Sequence, residues 1–262
     1  MSLSDQLNKI VLETSELQKK YFRHVDSWRK DDRSVVTDAD IESEALLRSN
    51  LMKLIPDAAF VGEEGGWDDN LESAEYHWVV DPIDGTSSFV AGLPVWGISV
   101  ALLKNREPFM ASLYFPIIDE MYYVDDDGCP RHNGEELQPL EMEPFVPGDR
   151  YLCVTSNLHK RYQLSFNGKI RGLGSTAYHI ALVARGSAYA AIAGYSKIWD
   201  MAGAVTLLNK VGGTLLDLSG QHQPLRSLLT PNLRKGPFIA TTKSRFDSGE
   251  FTITLKDMKS KG

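Results

Sequence analysis

Apolar residues at the start of the chain recur at helical intervals. Leu3, Leu7, Ile10, Val11, Leu17 and Tyr21 fall mostly on one face, which predicts an amphipathic helix lying on a core. The polar run Arg29-Lys30-Asp31-Asp32-Arg33 then reads as a loop. A second helical pattern passes through Ile41, Ala45, Leu47, Leu51 and Ile55 and is closed by Pro56. Thr37 and Asp40 stand at capping-box spacing ahead of it, so helix initiation is their simplest reading.

From Phe60 the texture changes to short apolar runs at 78–80, 98–103, 110–115 and 121–124, bounded by Gly, Pro and Asp. These predict strands of a mixed or antiparallel sheet. Asp125-Asp126-Asp127-Gly128 reads as a hairpin tip, because it lacks the continued ligand spacing and closing Glu of a Ca²⁺ loop. The stretch from Glu141 to Arg150 holds Pro144, Pro147 and Gly148 and reads as a boundary. It divides an α+β half, 1–146, from an α/β half, 147–262. In the second half, strands at 151–155 and 189–193 alternate with helices at 177–184 and 201–211, the last stopped by Gly212-Gly213.

Composition narrows the function classes. With 28 basic against 35 acidic side chains the net charge is −7, which argues against a protein that coats nucleic acid. An anionic small substrate remains open, since bound divalent cations reverse the field inside a pocket. The two cysteines, Cys129 and Cys153, lie in separate segments, so neither a thiolate zinc site nor a disulfide framework is expected. No apolar run approaches the roughly 20 residues that span a bilayer, and a cytoplasmic protein is the expectation.

The chemistry concentrates in Trp78-Val79-Val80-Asp81-Pro82-Ile83-Asp84-Gly85-Thr86-Ser87-Ser88-Phe89. An apolar strand runs straight into two carboxylates. Pro82 and Gly85 predict that both acids sit on a tight turn at the strand's end. Two carboxylates held close together repel one another, and a hard divalent cation such as Mg²⁺ removes the conflict. If a helix begins at Thr86-Ser87-Ser88, its first N–H groups suit a phosphate. Glu63-Glu64, between Gly62 and Gly65-Gly66, suits either a further metal ligand or a base for a nucleophilic water. Asp200 precedes a helix rich in small residues. Read alone, the glutamate pair is a solvated turn and Asp200 an N-cap.

Together these strings resemble the inositol monophosphatase family, within the wider group that includes fructose-1,6-bisphosphatase. Gly62-Glu63-Glu64, Asp81-Pro82-Ile83-Asp84-Gly85-Thr86 and Trp199-Asp200 stand in the family's order, and Thr37-Asp38-Ala39-Asp40 matches its N-terminal acidic segment. The resemblance implies a layered αβαβα sandwich, a homodimer, and two to three Mg²⁺ ions. Carried onto this sequence, it implies a first ion on Glu63, Asp81 and the Ile83 carbonyl, and a second on Asp81, Asp84 and Asp200. A weaker third ion would lean on Glu63 through water. Glu63 and Thr86 would activate water, with Asp40 bonded to the threonine. The substrate would meet Gly85, Thr86 and Ser87, and on its far side Ser175, Thr176 and Lys197. Lys30 stands near a family lysine of the active-site loop, and inhibition by Li⁺ is implied as well.

One departure bears on the substrate. Seven positions before Asp200, where inositol-specific relatives carry an acid, this chain has Ala193, and Lys197 nearby offers a cation. The resemblance therefore implies a Mg²⁺-dependent phosphatase of small phosphate monoesters. It leaves inositol phosphate, histidinol phosphate, sugar phosphates and nucleotide 3′-phosphates open. The alternative from another class is a non-catalytic metal- or phosphate-sensing protein that keeps the fold.

Overall fold

The computed structural model describes residues 1–30, 34–140, 150–231 and 233–256. The first helical pattern forms α1 (Leu3–Tyr21), whose N-cap Ser2 accepts from the Asp5 N–H. The second forms α2 (Asp38–Leu54). Between them, part of the expected loop is a short antiparallel hairpin, β1 (Ser27–Arg29) with β2 (Val35–Thr37).

Eight strands follow in one sheet: β3 (Ala59–Gly62), β4 (Gly66–Trp67), β5 (Tyr76–Asp84), β6 (Gly97–Lys104), β7 (Glu107–Phe115), β8 (Glu120–Val124), β9 (Pro130–His132) and β10 (Glu135–Glu136). Their spatial order is β10-β9-β8-β7-β6-β5-β3-β4. All neighbours are antiparallel except β3 and β5. Side chains alternate across the sheet, as the pleat requires. Phe60, Trp78, Val80, Val100 and Leu102 pack under α1 and α2 against Leu7, Val11, Leu47 and Leu51. Val61, Val79, Ala101 and Leu113 point to the opposite face.

That opposite face is covered by α4 (Thr176–Ala184) and α5 (Ala202–Lys210), with the short α3 (Thr86–Val90) at the end of β5. Beyond α4 and α5 lies a five-stranded sheet built from β11 (Tyr151–Val154), β13 (Lys169–Arg171), β14 (Ala188–Ala193), β15 (Thr214–Leu216) and β16 (Phe238–Thr241), in the order β13-β11-β14-β16-β15. One apolar core joins both sheets through these helices: it holds Val79 and Leu113, Ile180 and Val205, and Cys153 and Ala240. A thin outer layer completes the sandwich. It consists of α6 (Lys243–Asp247) and the antiparallel pair β12 (Tyr162–Phe166) and β17 (Phe251–Leu255). The layering is the αβαβα arrangement expected from the sequence. Of the expected boundary stretch, residues 141–149 lie outside the described residues.

One local expectation needs correction. Asp81 and Asp84 do not sit on a turn beyond the strand: β5 continues to Asp84, which pairs with Gly97, and the register shifts between the two acids. Pro82 is tolerated because it falls in that irregularity, where the ladder asks no N–H of it. The amide of buried Gln18 on α1 fastens the segment, donating to the Pro82 carbonyl at 2.7 Å.

Candidate active site

Strand register brings the first two acids together. Gly62 of β3 pairs with Val80 of the parallel neighbour β5, so Glu63 and Asp81 each follow a paired position at the same end of the sheet. Asp200 arrives from the opposite layer, just ahead of α5. Gly203 in the first turn of α5 lies so close to β6 that a Cβ there would stand 2.6 Å from Ser99 Oγ. Because Ser99 is the β6 partner of Asp81, the close approach sets Asp200 over the strand ends. Glu63, Asp81 and Asp200 each offer an oxygen within 4.8 Å of the others.

Asp84 stands beside this triangle and lines the same cavity. Its carboxylate also accepts a short hydrogen bond from Ser175 Oγ and two from backbone, Thr176 N at 3.2 Å and Ala177 N at 2.8 Å. It therefore neutralises the first turn of α4, where carboxylates are favoured. Ser175 is fully buried, and its hydroxyl oxygen also accepts from Tyr178 N as the helix cap. The side chain is clamped on Asp84 and is absent from the cavity wall, whereas Thr176 is part of that wall.

Gly85, Thr86 and Ser87 line the cavity at the start of α3. Gly85 holds φ at +97°, and a Cβ would meet the Gly174 carbonyl oxygen at 2.8 Å, so both conformation and space demand glycine. Thr86 Oγ1 lies 3.1 Å from Asp40 Oδ1 and 3.1 Å from the Ile83 carbonyl oxygen, two acceptors for one hydroxyl proton. Asp40 Oδ2 meanwhile accepts from Thr37 N at 2.8 Å and Thr37 Oγ1 at 2.6 Å. Asp40 thus bonds Thr37, ahead of α2, with one oxygen and faces Thr86 with the other.

Lys30 reaches Glu64 Oε1 at 2.6 Å and Glu63 Oε1 at 3.4 Å. Lys197 contributes its backbone N–H to Asp200 Oδ2 at 2.9 Å, while its ammonium stands 4.9 Å from the centre of the Trp199 ring. Lys197 does not line the cavity. Ala193 is buried in the core, and Gly194, Tyr195 and Ser196 face the cavity in its place.

Sequence reasoning missed Glu44. This buried acid on α2 accepts the N–H of Glu64 at 2.8 Å and, in a shorter contact, that of Gly65, fixing the turn that carries Glu63. A polar residue on the inner face of an amphipathic helix was the one signal available. The cavity measures 870 Å³, within the range of small-molecule sites. Its walls also carry Arg29, Lys160, Arg161 and Arg234, none of them singled out from sequence.

Burial dominates the electrostatics of the floor. It raises Asp81 well above the usual carboxylate range, with the charges of Glu63, Asp84 and Asp200 adding to the effect. Asp84 is pushed up to about 7 by burial against the hydrogen bonds from Ser175 and α4. Glu63 rises to about 8 through burial and the Asp200 charge. Asp200 reaches about 6, burial outweighing the pull of Arg234 and Lys197. Such a cluster resists full ionisation by itself, and a divalent cation relieves both the desolvation and the repulsion. The donors are all oxygens, which suits Mg²⁺ or Ca²⁺ and not a thiolate-seeking ion. The residues present fit a metal centre.

The comparisons with known proteins agree with this geometry. The model of the inositol monophosphatase family matches residues 5–248. The bifunctional phosphatase IMPL2 of Arabidopsis thaliana, a chloroplastic protein, is 33% identical over 82% of this chain, which spans 64% of that protein's length. A histidinol-phosphatase of Chlorobaculum parvum is 29% identical, covering 85% of each chain. Among solved structures, an IMPase of Thermotoga maritima superposes with a TM-score of 0.77 over 93% of each chain; at 24% identity it supports the fold alone. No helix among the described residues is long and apolar enough to cross a membrane. With a family match that runs from α1 to α6 and an acid-floored cavity at the strand ends, the chain belongs to the inositol monophosphatase family and is a phosphoric monoester hydrolase.

Proposed function

We propose that this enzyme hydrolyses small phosphate monoesters with Mg²⁺ as its working ion. The observation that carries the reading is the convergence of half-buried Glu63 and Asp200 with buried Asp81 within 4.8 Å, next to Asp84 and the Thr86–Asp40 pair. Glu63, Asp81 and the Ile83 carbonyl would hold one ion, and Asp81, Asp84 and Asp200 a second. Glu63 would also lean on a weaker third through water. When bound, such ions supply Lewis-acid stabilisation of the phosphoryl and leaving-group oxygens and acidify water.

The chain's own groups supply position and proton transfer. The substrate phosphate lies against the N–H groups of Gly85 and Thr86, with Ser87 and Thr176 beside it. Thr86 donates its hydrogen bond to Asp40 or the Ile83 carbonyl, so its oxygen lone pairs face the cavity and accept a hydrogen bond from the attacking water. Glu63 is the base that takes the water's proton. Its carboxyl belongs there because burial and the Asp200 charge already raise its proton affinity. Asp84 stays oriented because Ser175 and the start of α4 hold it.

The reading extends to a homodimer that acts in the cytoplasm on a small phosphorylated metabolite and is sensitive to Li⁺. It is tested by assaying phosphate release over a panel of sugar, inositol, histidinol and nucleotide phosphates, with Mg²⁺ and with EDTA. Turnover of at least one ester that EDTA removes supports it; no release from any ester with Mg²⁺ overturns it.

A further inference from the structure

Two contacts between the layers straddle the acid floor. The spatial order β6-β5-β3-β4 puts Ser99 of β6 on one side of Asp81 and Glu63, just past the end of β3, on the other. On the Ser99 side, α5 closes on β6 at Gly203. On the Glu63 side, the ring of Trp67 in the edge strand β4 meets the ring of Trp199, their centres 6.1 Å apart and their planes tilted by 54°. Trp199 directly precedes Asp200 and is buried in the core shared by both sheets, and half-buried Trp67 packs on the same core.

Each ring is tied to an acid of the floor through a short, closed piece of backbone. Gly62 and Gly66 pair across β3 and β4, so the turn between them has only Glu63, Glu64 and Gly65. Buried Glu44 holds the N–H groups of Glu64 and Gly65 from the side of α2, and Trp67 follows at once, paired with Val61. In the opposite layer Asp200 Oδ2 accepts the Lys197 N–H at 2.9 Å, so the Trp199 ring leaves a turn that the acid itself closes. Neither turn has spare residues to absorb a shift, and a displaced ring moves the acid beside it. Aromatic pairs also favour a particular separation and tilt, whereas aliphatic burial is non-directional. Resting on the reading that Glu63 and Asp200 hold Mg²⁺, we propose that Trp67 is a positioning residue: through Trp199 it sets the separation of Glu63 from Asp200, and with it the affinity of the site for the ion.

The test is equilibrium binding of Mg²⁺ to the metal-free protein by calorimetry, for wild type, Trp67→Leu, Trp67→Met and Trp67→Phe, with the Tm of each metal-free protein measured alongside. In the Leu and Met variants the Kd for Mg²⁺ should rise about tenfold, the scale on which groups that orient a metal ligand act. Trp67→Phe keeps a ring and should stay within about threefold of wild type. KM for the ester at saturating Mg²⁺ should not move, because Trp67 does not line the cavity. Either aliphatic variant decides the matter if the other does not fold. A lowered Tm with an unchanged Kd for Mg²⁺ would make Trp67 mere core filling and overturn the inference, and so would a Phe variant as weak as the Leu one. Both results leave the metal reading intact, whereas a wild-type protein that binds no Mg²⁺ defeats that reading and this inference with it.

Discussion

Thr86 and Asp40, 46 positions apart in sequence, meet with hydroxyl and carboxylate oxygens 3.1 Å apart, and the same aspartate begins helix α2 through Thr37. One side chain therefore fastens a helix with one oxygen and orients a threonine of the site with the other. In Asp40→Asn, one oxygen can go on serving Thr37 while an amide N–H₂ replaces the acceptor facing Thr86. We expect kcat to fall by about 10²-fold, the scale of a disturbed general-base arrangement, with KM little changed. A variant with wild-type kcat would show that Thr86 needs no acceptor there.

Ser175 is clamped on Asp84, so Ser175→Ala should act through metal affinity. Partners that orient a ligand are worth about 10–100-fold in affinity for the ion. The Mg²⁺ concentration at half-maximal activity should rise on that scale, while KM for the ester at saturating Mg²⁺ stays near wild type. The opposite pattern, a raised KM at unchanged Mg²⁺ dependence, would return Ser175 to the role of a substrate contact.

Gly85 and Gly134 both hold positive φ, at +97° and +88°, but only Gly85 has a neighbour where a Cβ would go. Gly134→Ala should cost about 1 kcal/mol of backbone strain. Gly85→Ala adds a collision with the Gly174 carbonyl and should cost about 3 kcal/mol together with most of the activity. Urea titrations of both variants check the order, and equal losses would contradict the close approach of the two loops.

Raised carboxyl pKa values make the metal-free protein sensitive to alkali. An acid whose folded pKa exceeds its unfolded value favours the folded state while protonated, and that contribution is lost as pH rises through the folded pKa. With Asp84 held at about 7 and Glu63 at about 8, the loss builds up from the ordinary carboxylate range near pH 4 and is complete at about pH 8, where the folded-state groups have ionised too. His179, buried and lowered to about 4, acts in the opposite sense only at lower pH. Thermal melts in EDTA should show a lower Tm at the upper end of that range. The rise in Tm on adding Mg²⁺ should be larger there, because the ion binds the ionised acids. A Mg²⁺ effect independent of pH would contradict the picture of a proton-holding floor.

What could be read from the sequence was what is contiguous. The string from Asp81 to Thr86 carries its chemistry within six positions, and the spacing of Leu7, Val11, Leu47 and Leu51 identifies α1 and α2 without a partner in view. Features made by distant segments were not legible. Ser175 lies 91 residues from the carboxylate it holds, and Gln18 lies 64 residues from the carbonyl it fastens. Trp67 and Trp199 meet only because the two layers are stacked. At Lys197 the sequence shows only nearness to Asp200, whereas the structure sets the ammonium by the Trp199 ring and turns the backbone N–H toward the acid. Pro82 suggested the end of a strand, since the irregularity that admits it depends on the pairing of β5 with β6.

The central claim is that buried carboxylates at the strand ends hold the ions that make this a phosphatase. Asp81 tests it most directly, because it belongs to the acid triangle, is implied for both ions, and among the described residues its carboxylate accepts a hydrogen bond only from the Ile83 N–H, at 3.1 Å. The measurement is the initial rate of phosphate release from the best ester, as a function of Mg²⁺ concentration, for wild type and Asp81→Asn. We expect saturable activation in the wild type, and in the variant a loss of about 10³-fold or more that added Mg²⁺ does not restore. Phosphate release in EDTA at the wild-type rate, or an Asp81→Asn enzyme that keeps the wild-type Mg²⁺ curve, would contradict the account.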